Sequence, residues 1–171
     1  MTRFLLLCLL LASPAFAAPG VRVCAVGDSI TAGFAPSTYG WTVPLAQMNA
    51  SLDWGVKNVA VPGAKVNGTG MLNANATFLA EIPGRRCTWV VFLVGTNNLP
   101  DGTSAAAIWA GIKAMVDAAR AEGAKVALLA ILPRGTGPSW STDLGTRLLA
   151  VNASMQAYAT TTAPAIVYVD T

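Results

Sequence analysis

Short apolar runs alternate along the chain with longer segments whose apolar residues recur every three or four positions. The runs at 21–26 (VRVCAV), 55–61 (GVKNVAV), 88–94 (TWVVFLV), 125–132 (KVALLAIL) and 165–170 (AIVYVD) predict five strands. The third is rich in the β-branched and aromatic residues that a pleated backbone favours. The segments 39–51, 71–82, 103–123 and 140–160 predict helices. The clearest is 103–123, where Ile108, Ile112, Met115, Val116 and Ala119 fall on one stripe. Thr103 or Ser104 can cap its start, and Gly123 can end it in a left-handed conformation. Pro44 is expected in the first turn of 39–51. Leu144, Leu148, Leu149, Val151 and Tyr158 are expected to form the buried face of 140–160.

Strands without polar alternation are buried on both faces. Alternating strands and helices therefore predict a parallel sheet sandwiched between helices, and right-handed crossovers leave few topologies. A length of 171 residues suits one domain. Residues 1–17 stand apart from it. Arg3, the apolar run 4–12 and the small-residue pattern Ala15-Phe16-Ala17 read as a secretory signal peptide cut after Ala17, leaving 18–171 as the domain. That run is too short to span a bilayer comfortably. The mature protein is expected to be secreted or periplasmic, with no stable membrane anchor.

Charge changes this picture little. The net charge is +3 and charged residues make up 11% of the chain, with no basic run and no aromatic–basic interleaving. Nucleic acid is therefore not an expected partner. There is no histidine, the cysteines are not clustered and the acidic residues are scattered, so no metal site is predicted. GTGPSW lacks the Lys-Ser/Thr of a phosphate-binding loop, and no cofactor is expected. Of the cysteines, Cys24 and Cys87 survive signal cleavage. If the first and third strands end level at Gly27 and Gly95, the two cysteines are offset by about 16 Å, which favours free thiols. Asn49, Asn67, Asn75 and Asn152 open Asn-x-Ser/Thr sequons, relevant only in a glycosylating host.

In parallel sheets ligands bind at the carboxyl ends of the strands. Here the first strand ends in Gly27-Asp28-Ser29, the second in Pro62-Gly63 and the third in Gly95-Thr96-Asn97-Asn98. Acyl transfer needs a nucleophile and donors for the developing oxyanion. Ser29 offers a hydroxyl. The N–H groups of Ser29 and Gly63 and the Asn97 amide are candidate donors. Each of these turns taken alone is ordinary turn chemistry. Their placement at the ends of three successive strands favours a site. Tyr39, Trp41 and Trp140 could line it or simply pack, and the irregular stretch 133–142 is a candidate rim.

The order GDSIT, NVAVPGAKV, VGTNN resembles the SGNH hydrolases, or GDSL-type esterases and lipases, from about residue 21 to the last residue. The resemblance implies a flavodoxin-like three-layer α/β/α sandwich with a five-stranded parallel sheet. It assigns the nucleophile to Ser29 and the oxyanion donors to the Gly63 N–H, after Asn58, and the Asn97 amide, with Asp28 and Gly95 as motif support. Asn98 stands where many members have aspartate. The implied substrates are short acyl or acetyl esters, carbohydrate esters among them.

The family's fourth block, Asp-x-x-His, follows its fifth strand and supplies the general base. This sequence reaches Asp170-Thr171 there and contains no histidine. The expectation is a chain missing its C-terminal block, or else a natural short form without the base. A Ser–Lys pair is the chemical substitute, but Lys57 starts a strand and Lys65 would need a lowered pKa. Without a final helix over the fifth strand, an exposed apolar face and marginal stability are expected there. The alternatives are a non-catalytic protein of the same fold binding a glycan or lipid, and a flavodoxin-like binding domain. The second is disfavoured by the sequence of the first loop.

Overall fold

The computed structural model describes residues 20–33, 40–52, 54–68, 73–81, 84–133 and 141–170. Residues 1–17, Tyr39, Trp140 and most of the 133–142 stretch lie outside them. Five strands form: β1 (Val21–Gly27), β2 (Trp54–Asn58), β3 (Trp89–Leu93), β4 (Lys125–Leu129) and β5 (Ile166–Val169). They make one all-parallel sheet in the order β2-β1-β3-β4-β5. The flavodoxin-like α/β/α architecture is thus observed.

The helices are α1 (Ser29–Ala32), α2 (Thr42–Met48), α3 (Ala74–Glu81), α4 (Ala105–Ala121) and α5 (Thr142–Thr162). Cys24, Val26, Val90, Phe92, Val126, Leu128 and Ile166 face one side of the sheet and join the buried residues of α3, α4 and α5 in one core. Phe78 of α3 meets Phe92 edge to face, with centroids 5.2 Å apart. On the other side, Leu45 of α2 stands over an apolar hollow lined by Val23, Trp54, Trp89 and Val91. Farther along the sheet, Val167 and Val169 of β5 are 43% and 39% exposed. This is the apolar exposure expected of the fifth strand.

Helix ends follow their caps. Ser104 Oγ accepts from Ala107 N–H at the start of α4, and Gly123 follows its end with φ 81°. In α5 the buried stripe is Leu144, Leu148, Val151, Met155 and Ala159. Leu149 lies one position round the helix from Leu148 and is 67% exposed, so it does not belong to the face as expected.

Cys24 and Cys87 form a disulfide with Cα atoms 5.9 Å apart. The free-thiol expectation fails because the strands do not end level at Gly27 and Gly95. Gly27 pairs with Leu93, which brings the two cysteines closer by two residues. Cys87 also precedes β3, where Thr88 N–H donates to the Arg22 carbonyl at 2.8 Å and folds the chain against β1.

On the outer surface, α4 and α5 are joined through Asp117. Its carboxylate accepts from Lys113 Nζ and from Tyr158 Oη, each at 2.6 Å. Partial burial opposes the charged carboxylate, but Lys113 and Tyr158 outweigh it and hold the pKa below the usual carboxylate range. A lowered folded-state pKa contributes stability above the unfolded value of about 3.9, and that stability is lost as pH falls through the folded value. The Lys113 and Asp117 side chains are 41% and 45% exposed, so solvent screening keeps the contribution below about 1 kcal/mol. Asp117→Asn is therefore expected to flatten the fall in stability below pH 4. Urea titrations at pH 7 and pH 3 would show it.

Candidate active site

The register brings the three turns together. Gly27 pairs with Leu93 across β1 and β3. On the other side, the chain beyond β2 keeps following β1: Val59 N–H donates to Ala25 C=O and Val61 N–H to Gly27 C=O, at 2.9 and 3.1 Å. Gly27, Leu93 and Ala60 therefore share one row of the sheet, with Ser29 and Gly95 two residues past it and Gly63 three. The three turns thus leave neighbouring strands at the same edge of the sheet.

Ser29 is the first residue of α1 and is half-buried. The preceding Asp28 is buried and caps the helix, its Oδ1 accepting from Ile30 N–H at 3.0 Å. As the first helical residue, Ser29 has an N–H that α1 itself cannot use. Among the described residues, no group bonds to that N–H or to Oγ. Asp28 thus supports the motif by shaping the turn that presents Ser29. This short helix was not expected from the sequence, although an aspartate ahead of it is a usual start signal.

Gly63 occupies the third position of the turn Val61-Pro62-Gly63-Ala64, closed by Ala64 N–H to Val61 C=O at 3.0 Å. Its φ of 76° is the positive value that a type II turn requires there, with proline ahead of it. Asn97 Nδ2 donates to the Ala64 carbonyl at 3.0 Å, which ties the third turn to the second beside Gly63. Asn97 lies in a single helical turn, Thr96–Asn98, that starts from Gly95 at φ 118°. A Cβ at Gly95 would also stand 2.8 Å from Ile131 Cδ1. That methyl can move, so the backbone conformation is the larger obstacle. Gly95→Ala is expected to destabilise the fold by about 3 kcal/mol. Urea unfolding would measure this, and an unchanged midpoint would contradict it.

Several organising residues escaped the sequence reading. Asn58 was recognised only as leading into the second block. Its amide donates to Thr31 C=O and Thr42 Oγ1, and its Oδ1 accepts from Ala60 N–H. It thereby joins β2 to α1 and α2. Buried Asn98 accepts from Val66 N–H at 2.8 Å through Oδ1. An aspartate oxygen can make the same bond, so asparagine fulfils the aspartate's structural part here. Asn152 of α5 grips Ile131 from both sides, accepting its N–H at 2.9 Å and donating to its C=O at 3.1 Å. Asn49 and Asn67 likewise spend amide hydrogens on backbone carbonyls. These sequon asparagines have structural roles.

Trp41 is half-buried and donates through Nε1 to Thr31 Oγ1 at 3.3 Å, which makes it a packing residue of the α1–α2 corner. Lys65 forms an ion pair with Asp101. Lys57 lies within β2. Among the described residues, no group of three or more His, Cys, Asp or Glu side chains could hold a metal ion, and no helix is long and apolar enough to cross a membrane.

The model of the GDSL-like lipase/acylhydrolase family matches residues 25–171. The crystal structure of TesA superposes with a TM-score of 0.67 at 29% identity, over 82% of this chain and 73% of that one. A member of the lipolytic protein G-D-S-L family from Veillonella parvula DSM 2008 gives 0.66 at 20% identity, over 88% of this chain and 77% of that one. The psychrotrophic esterase EstA from Pseudoalteromonas sp., in a structure inhibited by monoethylphosphonate, gives 0.63 at 18% identity, over 86% and 76%. The last two likenesses concern the fold. A comparison with curated proteins finds no match. The sheet order and these neighbours define the SGNH hydrolase class. The chain belongs to the GDSL-like lipase/acylhydrolase family and, by that kinship, is a serine ester hydrolase.

Proposed function

We propose that the mature protein is an exported esterase acting on short acyl or acetyl esters, with Ser29 as nucleophile. The observation that carries this reading is the meeting of three turns at one sheet edge: those of Ser29, Gly63 and Gly95 follow neighbouring parallel strands, and Asn97 is bonded to the loop carrying Gly63. Ser29 Oγ attacks the ester carbonyl carbon and loses its proton to a base. The carbonyl oxygen becomes an oxyanion, held by the N–H groups of Ser29 and Gly63 and by the Asn97 amide. Collapse expels the alcohol and leaves an acyl group on Ser29, which water then removes.

None of the 171 residues is a histidine. A histidine base of the kind the family uses therefore has to come from outside this sequence. Export is supported by the signal-like residues 1–17 and by the Cys24–Cys87 disulfide, which persists in oxidising compartments. Carbohydrate esters fall within the proposed class.

Incubation with an aryl acetate, followed by peptide mass spectrometry, tests the reading. An acetyl group on Ser29 is expected, because loss of the base slows deacylation as well as acylation. Acetylation confined to surface lysines would overturn the proposed role of Ser29. The absence of histidine favours one second reading, a binding protein on the same sheet edge. An acetyl ester that binds without ever acylating Ser29 would support it.

A further inference from the structure

We propose that the cavity at the amino ends of β1, β3 and β4 binds a multiply charged phosphate-type anion. It lies at the end of the sheet opposite Ser29 and is independent of the esterase reading. The cavity has a volume of about 470 Å³, within the range of small-ligand sites. Arg22, Arg86 and Lys125 line it, and Glu122 is the one acidic residue among its described lining.

Three cations in one recess are unusual in a chain with only 11% charged residues. Elsewhere among the described residues, Lys65, Arg85, Lys113 and Arg147 each pair with a carboxylate, while Lys57 and Arg120 form no ion pair. Among the described residues, Arg86 and Lys125 form no such pair. Lys125 Nζ instead stands 5.5 Å from the centre of the Trp89 ring. A recess lined mainly by one sign of charge focuses its field on an ion of the other sign. Arg86 and Lys125, the lining cations without a carboxylate partner among the described residues, suit a ligand that carries more than one negative charge.

The wall carrying Arg86 is built to hold its shape. Arg86 has φ 51° and is the only non-glycine with positive φ among the described residues. Such a conformation persists where surrounding bonds over-determine it. Arg22 Nε donates to the Arg86 carbonyl. Arg22 and Thr88 exchange hydrogen bonds at 2.8 Å in both directions, Arg22 N–H to Thr88 Oγ1 and Thr88 N–H to Arg22 C=O. The intervening Cys87 is cross-linked to Cys24. A guanidinium on a fixed backbone loses little freedom on binding, and its planar fork matches phosphate oxygens. Arg86 supplies such a group and Lys125 an ammonium.

The test is calorimetric titration of the 171-residue protein with inorganic pyrophosphate at low salt. In parallel, co-sedimentation uses phosphatidylcholine vesicles with and without phosphatidic acid. Saturable binding is expected to fall at least about tenfold in Arg86→Gln and in Lys125→Gln, as loss of a charge-assisted contact predicts. Lys125→Arg should retain it, and thermal melts should confirm that all variants fold. Pyrophosphate binding alone would identify a soluble phosphate as the ligand. Vesicle binding that both glutamine variants lose would identify a lipid headgroup. No binding of either probe, or binding that the folded glutamine variants retain, would overturn the proposal.

Discussion

Imidazole added to the 171-residue protein is expected to accelerate ester hydrolysis, and Ser29→Ala is expected to leave only the direct reaction of imidazole with the ester. The reasoning rests on how catalytic groups act as a unit. In serine hydrolases, removing the serine or the histidine alone costs about as much as removing both, roughly a million-fold in kcat in the best-studied case. What remains, on the order of a thousand-fold over water, comes from the oxyanion donors and binding. This sequence has no histidine. Ser29→Ala alone should therefore change its residual rate only slightly.

Supplying a base changes that. A positioned general base contributes about 100- to 10,000-fold. Free imidazole lacks the positioning, so the gain should sit below that range. The direct reaction of imidazole with an aryl ester is subtracted using the alanine variant. In any form of the protein with a histidine base in place, the same substitution should cost about a million-fold. Equal imidazole-dependent rates in the two proteins would remove Ser29 from the mechanism.

The second large effect concerns the disulfide. Cys24 and Cys87 are 63 residues apart in sequence, and closing a loop of that length restricts the unfolded chain by about 4 kcal/mol at 25 °C. Reduction, or replacement of both cysteines by serine, is expected to remove most of this. For a protein of this size, the melting temperature should drop by about 10 °C. The loss should be global, because the cross-link joins the central strand β1 to the segment entering its neighbour β3. Thermal unfolding with and without reductant measures it. Coincident melts would show that the two strands are held by their pairing alone. The same experiment bears on export, since a domain that depends on this bond is suited to an oxidising compartment.

The sequence alone determined the features that arise from neighbours along the chain. All five strands and the four longer helices are legible because apolar periodicity and caps act over a few residues. The three blocks were legible for the same reason. Gly-Asp-Ser, Pro-Gly and Gly-Thr-Asn each encode a turn by local chemistry, and their order carries the family resemblance.

Tertiary structure decided whatever depends on the offset between strands distant in sequence. A two-residue difference in where β1 and β3 come level turned two predicted thiols into a disulfide. The pairing of neighbouring parallel strands brought the turns of Ser29, Gly63 and Gly95 to one sheet edge. Asn58, Asn98 and Asn152 could not be recognised as organisers beforehand, because each bonds to backbone groups far along the chain. Arg22, Arg86 and Lys125 are scattered in sequence and meet only because parallel strands bring their amino ends to one side. Periodicity reports which face of an element is buried. Only packing reports what that face, or the end of that strand, comes to lie beside.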